Sequence, residues 1–160
     1  MEAQIKILTE KKLIGKHINM SFMENKTFQL WNSFMPERKE IKNAVDSNLY
    51  SLEVFPQGYF DNFDSNKTFQ KWAAVEVKDL ITIPSEMEPL IIPTGIYAVF
   101  IHRGPATEGY KTYHAIFTEW LPNSEYTVDD RPHFALMDER YKKDAPDSEE
   151  EIWIPIKNRP

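Results

Sequence analysis

Apolar and polar residues alternate along several stretches of the chain, and each of these stretches predicts a β-strand. The clearest case is Glu151–Ile156, where Ile152, Ile154 and Ile156 are separated by other residue types. Successive side chains of a strand point to opposite faces, so this alternation indicates a strand with one face against a core. The predicted strands are Lys12–Phe22, Tyr50–Phe55, Phe69–Val77, Gly95–His102, His133–Asp138 and Glu151–Ile156.

Two further stretches repeat apolar residues at helical spacing. The first predicted helix begins after Asn25, a suitable N-cap, and ends at Pro36; the second runs from about Gly109 to Leu121. Each helix follows the first strand of a strand–helix–strand–strand order. An antiparallel sheet that carries both helices on one face would bury their apolar sides, so the pattern predicts a two-layer α+β fold.

The two strand–helix–strand–strand orders resemble each other at a spacing of about 85 residues. The matching residues are His17 and His102, Lys26 and Lys111, Thr27 and Thr112, Phe28 and Tyr113, and, after one residue of slip, Phe34-Met35-Pro36 and Trp120-Leu121-Pro122. We therefore expect one domain over residues 1–160, built from tandem duplicated β-α-β-β units. The first repeat spans about 3–78, a linker about 79–93 and the second repeat about 94–157. A ligand cleft is expected at the seam, because concave sites form preferentially between structural halves.

Composition excludes several classes of protein. The formal net charge is −6 and no basic cluster is longer than two residues, so direct binding to nucleic acid is not expected. Without cysteine there are no disulfides or thiolate ligands. The four histidines form no metal-binding pair and no glycine loop could cradle a phosphate, so neither a metal nor a cofactor is expected. The chain shows no signal peptide and no membrane-spanning apolar run, which favours a cytoplasmic location without membrane contact.

Strand alternation allows the two faces of the sheet to be distinguished. Ile152, Ile154 and Ile156 of the last strand are expected to face the helices, as are Ala73, Val75 and Val77 of the equivalent strand in the first half. The opposite face, called the outer face here, then receives two tryptophans and three carboxylates. Its expected members are Trp72, Ala74, Glu76, Glu151, Trp153, and from the neighbouring strand Glu53 and Phe55.

Such a surface suits a flat or cationic organic molecule if the sheet curls into a cleft, because aromatic faces attract cations. If the surface is instead convex and wet, the carboxylates are ordinary surface charges. The helix aromatics Trp31, Phe34, Phe117 and Trp120 have core spacing, yet Trp31 or Trp120 could show an edge at the seam. The candidate ligand-binding residues are Glu151, Trp153, Glu76, Trp72, Trp31, Tyr97, Glu53 and Trp120.

From about Ala3 to Lys157 the chain resembles the GyrI-like, or AraC-type effector-binding, domain family of bacterial small-molecule-binding proteins. The residues that carry the resemblance are Pro93-Thr94-Gly95-Ile96-Tyr97-Ala98-Val99-Phe100, Trp120-Leu121-Pro122-Asn123-Ser124, Asp129-Asp130-Arg131-Pro132 and Glu151-Ile152-Trp153-Ile154-Pro155-Ile156-Lys157. The resemblance implies multidrug binding, of hydrophobic and often cationic compounds, in a cleft between the repeats. Relatives are often fused to a DNA-binding region that regulates transcription. Others are free-standing, and among these are a gyrase inhibitor and hydrolases that use a cleft glutamate.

By this resemblance Glu151 and Trp153 match the positions that supply an acid and an aromatic ring to the family's cleft. Relatives frequently carry a glutamate after the aromatic residue at Phe134-Ala135, where this chain has alanine. Ala135 cannot accept a hydrogen bond or bind a cation, which weakens both the cation-binding and the hydrolase interpretations unless Glu151, Glu76 or Glu53 replaces the missing carboxylate.

The leading hypothesis is a stand-alone protein that senses or sequesters a small hydrophobic, possibly cationic, effector or xenobiotic. One alternative is a hydrolase of a reactive xenobiotic with Glu151 as general base. The other is a protein-interaction module, such as a gyrase modulator, whose flat outer face is covered by a protein partner; a homodimer also stays open.

Overall fold

The computed structural model describes residues 1–160 as one mixed α+β unit. Nine strands form the sheet: β1 (Gln4–Leu8), β2 (Lys11–Met20), β3 (Leu49–Val54), β4 (Phe69–Glu76), β5 (Glu88–Ile92), β6 (Gly95–Arg103), β7 (Tyr126–Val128), β8 (His133–Met137) and β9 (Glu149–Asn158). All of the strand pairings are antiparallel. The predicted fold class is confirmed.

One helical segment follows the first long strand of each half. Helix α1 (Thr27–Phe34) runs directly into a 3-10 helix (Met35–Glu40) with proline at its second position. Helix α2 (Gly109–Ala115) continues through a π-helical stretch (Ile116–Trp120) into a last turn (Leu121–Asn123). None of these helices is long and apolar enough to cross a membrane.

The order of strands across the sheet is β1-β6-β9-β8-β3-β4-β2-β5, with β7 paired to β9. This order reads the same from both ends if β3 is exchanged with β8, β4 with β9, β2 with β6 and β5 with β1. The strand order is therefore symmetric about the β3–β8 pair, and duplication of the two halves stays a prediction.

The edge strands depart from the predicted boundaries. β5 lies in the predicted linker but pairs with β2, whereas β1 pairs with β6 of the second half. Each half thus takes its edge strand from the segment that precedes the other half. His17 and His102 were also expected to occupy equivalent positions in the two repeats, but they lie on opposite faces of the sheet. His17 stacks on Trp72, on the side away from the helices, while His102 lies on the helix-facing side, directly opposite Glu150.

Both faces of the sheet are buried. On the helix-facing side, Ala73, Val75 and Val77 pack with Leu30 and Phe34 of α1, and Ile152, Ile154 and Ile156 pack with Ile116 and Leu121 near α2. These are the two sets expected from alternation.

The other side of the sheet encloses a second core. Leu8 and Ile92 lie on the two opposite edge strands, yet both belong to one apolar cluster with Leu13 and Tyr97. The Glu10 backbone N–H also donates to the Thr94 hydroxyl at 2.9 Å, which joins the two edge connections. The sheet is therefore curled, and we call the side opposite the helices the concave face.

Candidate ligand-binding site

The concave face brings together most of the residues expected in the site. Trp72, Tyr97 and Trp153 belong to its apolar cluster. Glu151 shares this face because its carboxylate accepts a hydrogen bond from the Trp153 indole at 2.9 Å. Glu76 lies here too, directly opposite Leu13 of the same cluster. The orientation expected for Trp72, Glu76, Glu151 and Trp153, away from the helices, agrees with the structure, and Tyr97 lies on the same face.

These aromatic side chains fill the concave face with one another. Trp153 is 9% exposed, Trp72 4% and Tyr97 0%. Trp153 stacks on Phe134 with ring centroids 5.2 Å apart and meets Tyr97 edge-on at 5.8 Å. Close-packed rings of this kind form a core, and a ligand here would have to displace them.

The concave carboxylates already have partners. Arg140 donates to Glu151 at 2.8 Å and also to Asp138 at 2.8 Å. Glu76 accepts from the Lys11 ammonium at 3.2 Å and, more weakly, from the Tyr50 hydroxyl at 3.4 Å. Burial and the charge of Glu76 together raise the pKa of Tyr50 well above its ordinary value, so the hydroxyl remains a donor.

Glu53 and Phe55 do not lie on the concave face as expected. Glu53 stands directly opposite Lys71 of β4 and His133 of β8, and Lys71 shares its face with the helix-facing Ala73. Phe55 packs on Phe69 and on His133. The two faces of β3 were therefore assigned the wrong way round, and Glu53 lies on the helix-facing side of the sheet.

The two helix tryptophans are also away from the concave face. Trp31 meets Phe34 edge-on at 5.9 Å within the α1 core. Trp120 meets Phe100 edge-on at 5.0 Å and lines a shallow hollow of about 300 Å³ with Met1 and Glu119. A second hollow of about 400 Å³ lies beside Met35 and Val75. Neither hollow contains another predicted site residue.

A second cluster of charged and aromatic side chains lies on the helix-facing side, over the β3–β8 pair where the two halves meet. We call this surface the seam. Its residues are Glu53 of β3, Lys71 of β4, His102 of β6, Tyr113 of α2, His133 of β8, Glu150 of β9, Phe117 of the π-helical stretch and Phe60 of the β3–β4 loop.

The carboxylates of the seam differ in their pairing. The Lys71 ammonium forms an ion pair with Glu53, and both side chains are nearly nine-tenths buried. Glu150 forms no ion pair. Burial raises the pKa of Glu150 and the charge of Glu53 adds to that rise, while His102 and Lys71 oppose it. The seam therefore contains one neutralised carboxylate and one unpaired carboxylate.

Aromatic rings from both halves line the seam. Phe60 lies nearly parallel to Phe117, with ring centroids 5.7 Å apart, and stacks on His133 at 5.6 Å. Phe60 itself is 38% exposed, so it covers the cluster from the solvent side. Burial, followed by the positive charge of Arg131, lowers the pKa of His133 to about 3, so this imidazole is neutral at physiological pH.

Two more polar groups are oriented around Glu150. The His102 Nε2 atom lies 3.0 Å from the Pro105 carbonyl, which can only accept, so Nε2 carries the proton. Its Nδ1 atom lies 2.7 Å from the Thr112 hydroxyl oxygen, within hydrogen-bond distance. Burial, reinforced by the charges of Glu53 and Glu150, raises the pKa of Tyr113 well above its ordinary value, which keeps its hydroxyl protonated.

Helix α2 changes geometry where it borders the seam. Its π-helical stretch includes Phe117, whose ring meets Phe60 and His133. Such single π-helical turns occur frequently at functional sites. The arrangement can hold a flat apolar molecule with a positive charge: the rings supply stacking surface and Glu150 supplies the unpaired negative charge.

The two positions that the family resemblance assigns to one cleft lie on opposite faces. Ala135 stands opposite Ser51 and Ile152 on the helix-facing side, at the floor of the seam. Glu151 lies on the concave face with Trp153. Glu150, one residue earlier, shares the face of Ile152 and Ala135.

Sequence reasoning identified only Glu53 among the seam residues. Lys71 and His133 could have been found by pairing the strands, since Glu53 opposes both. Glu150 could have been found by extending the alternation of Ile152, Ile154 and Ile156 toward the start of the strand. Phe60 could not, because no periodicity places a loop residue.

The fold is thus a curled antiparallel sheet with two helices, and its candidate binding surface is the aromatic seam between the two halves. The model of the GyrI-like small molecule binding domain matches residues 1–157, so this chain belongs to the GyrI-like family. The predicted family is confirmed.

Similar proteins include a transcriptional regulator and a protein solved with a bound organic cation. The transcriptional regulator BrlR of Pseudomonas aeruginosa is 28% identical over 129 residues, which is 80% of this chain but only 45% of BrlR. The EcmrR C-terminal domain superposes with a TM-score of 0.73 at 14% identity, covering 99% of this chain and 98% of that one. SAV2435, solved bound to tetraphenylphosphonium, has a TM-score of 0.66 at 19% identity over 98% and 94% of the two chains. The structural likenesses show a shared fold.

Proposed function

We propose that this domain binds a hydrophobic organic cation in the seam, as an effector or xenobiotic sensor. The observation that carries the proposal is that the unpaired carboxylate of Glu150, near Gly109 at the start of α2, and the stacked rings of Phe60 and Phe117 lie on the same helix-facing side of the sheet, along α2. An aromatic wall and a partly desolvated negative charge attract the same kind of molecule, because a cation gains from both. The tetraphenylphosphonium bound to SAV2435 belongs to this chemical class and is a suitable probe.

The seam supports this function better than the concave face does. Glu151 and Glu76 already hold Arg140 and Lys11, so a cation there would compete with a built-in partner. Trp153 and Trp72 would also have to leave their core positions. In the seam, the half-exposed Phe60 is the main side chain to be moved.

Adjacent glutamates on opposite faces provide a matched test. Glu150→Gln removes the seam charge, and Glu151→Gln removes a concave charge from the next residue along the same strand. Calorimetric titration with tetraphenylphosphonium at neutral pH is expected to show about tenfold to 100-fold weaker binding for Glu150→Gln, from a lost cation–carboxylate attraction of about 1.4–3 kcal/mol. Glu151→Gln is expected to bind as the unmodified protein does.

Far-UV and near-UV circular dichroism of both variants controls for folding. The role of Glu151 as the ligand's acid stays a prediction, and this experiment decides it. If Glu151→Gln loses binding while Glu150→Gln retains it, the ligand lies on the concave face and the proposal is wrong.

A further inference from the structure

The seam contains two carboxylates but also one ammonium group of its own. Lys71 pairs with Glu53, and its side chain is only 13% exposed. A cation that enters the seam is repelled by the Lys71 ammonium, because water screens a charge only weakly inside such a cluster.

The charges that face Glu150 can be counted element by element. β3 contributes the negative Glu53, β4 the positive Lys71 and β9 the negative Glu150 itself. His102 of β6 is held between the Pro105 carbonyl and the Thr112 hydroxyl. Tyr113 of α2 is protonated and His133 is neutral, so the two carboxylates and Lys71 together give a net charge of −1 when Glu150 is ionised.

We infer that Lys71 is a specificity-determining residue that restricts the seam to ligands with a single positive charge. This inference rests on the proposed function. A monocation neutralises Glu150 and leaves the Glu53–Lys71 pair intact. A dication has no free carboxylate for its second charge and meets the Lys71 ammonium instead. Specificity of this kind arises from a built-in repulsive group.

Three ligands of nearly the same shape separate the charge effects. N-methyl-4-phenylpyridinium carries one charge, N,N′-dimethyl-4,4′-bipyridinium carries two, and 4-phenylpyridine is neutral near and above neutral pH. The measured quantity for each variant is the ratio of the dissociation constant of the dication to that of the monocation, with the neutral ligand as the uncharged reference. Changes common to all of the ligands cancel in this ratio.

Lys71→Met, which keeps the length of the side chain, is expected to shift this ratio toward the dication by about tenfold or more, since it leaves two unpaired carboxylates. Lys71→Arg keeps the charge and is expected to leave the ratio unchanged. Glu53→Gln combined with Lys71→Met restores a net charge of −1 and is expected to recover the original preference for the monocation.

The outcomes separate the inference from the proposed function. If the unmodified protein binds 4-phenylpyridine as tightly as the monocation, or if Glu150→Gln has no effect, the proposed function fails. If Glu150→Gln weakens monocation binding but Lys71→Met leaves the ratio unchanged, only the role of Lys71 is overturned. Should Lys71→Met not fold, Glu53→Gln alone decides: it leaves the Lys71 ammonium unpaired, and monocation binding that is not weakened by about tenfold would contradict the inference.

Discussion

Replacement of Trp153 by alanine distinguishes a core from a binding surface. Trp153 is 9% exposed, stacks on Phe134 at 5.2 Å and meets Tyr97 at 5.8 Å. Its indole also donates to Glu151 at 2.9 Å. If the concave face is a core, as these contacts indicate, the substitution should affect stability strongly and ligand binding little.

The expected cost follows from those contacts. Removal of a buried tryptophan costs about 3–5 kcal/mol, which includes the cavity it leaves. Arg140 still holds Glu151 at 2.8 Å, so the carboxylate is not left without a partner, and loss of the indole bond adds about 1 kcal/mol at most. A domain has about 5–15 kcal/mol of stability in all, so the variant should retain a fold at low temperature with little margin.

Urea denaturation followed by circular dichroism measures this effect. With a slope of about 1–3 kcal/mol per molar urea, a loss of about 4 kcal/mol lowers the midpoint by about 2 M, while the slope itself should not change. Titration of the folded variant with tetraphenylphosphonium should give nearly the original affinity. A variant whose midpoint moves little but which no longer binds the probe would refute the assignment of Trp153 to the core.

Three further perturbations have defined outcomes. Burial lowers the pKa of His133 to about 3 from an ordinary 6.5, so its stabilising contribution is present above pH 6.5 and is lost as pH falls toward 3, at about 1.4 kcal/mol per pH unit. His133→Phe should therefore flatten the pH dependence of the free energy of unfolding between pH 6.5 and 3, measured by urea titrations. Parallel pH profiles for the two proteins would contradict the burial of a neutral imidazole. Phe60→Ala should weaken tetraphenylphosphonium binding by about threefold to tenfold, through one lost aromatic contact, with a nearly unchanged melting temperature, and an unchanged affinity would exclude Phe60 from the site. Gly15→Ala would place a Cβ atom 2.0 Å from the Ala73 carbonyl oxygen, between β2 and β4. The substitution should lower the free energy of unfolding by about 1–3 kcal/mol or more, measured by thermal denaturation. An unchanged stability would show that β2 and β4 pair less closely than described.

The helix-facing sides of β4 and β9 could be predicted from sequence because their apolar residues alternate with residues of another kind. Ile152, Ile154 and Ile156 leave a carboxylate and an indole on the other face, and Ala73, Val75 and Val77 do the same. The structure agrees with both assignments. Periodicity is reliable here because one set of residues is markedly more aliphatic than the other.

β3 shows where this reasoning fails. Tyr50 and Leu52 are apolar and alternate with Ser51 and Glu53, which was interpreted as a strand whose polar side lies away from the helices. In a sheet with a core on each face, the apolar set can belong to either one, and Tyr50 and Leu52 belong to the concave core. Alternation shows that a strand has an apolar and a polar face. Only the pairing of β3 with β4 and β8 shows which of these faces points toward the helices.

The edge strands could not be assigned from local sequence. Glu88–Ile92 contains Pro89 and lies among turn signals, so it was interpreted as a linker. Proline is tolerated there because β5 is an edge strand that pairs only with β2. The curl that brings β1 and β5 together depends on contacts between residues far apart in the chain, such as Leu8 and Ile92.

The proposed site lies on the other side of the sheet from the site predicted from sequence. Glu151 and Trp153 were expected to form the cleft, and their orientation away from the helices is correct, but that face is filled by aromatic side chains. The seam depends on a loop residue, Phe60, and on Glu150, which directly precedes the predicted last strand, Glu151–Ile156. Phe60 has no periodic signal, and Glu150 lay outside the predicted bounds of the strand.

The most direct test of the account is a crystal structure of the protein with tetraphenylphosphonium bound. The account predicts density for the probe on the helix-facing side, between α1 and α2, with Glu150 and Phe117 in contact and Phe60 displaced from its stack. Density on the concave face, in contact with Trp153 and Glu151, would contradict it.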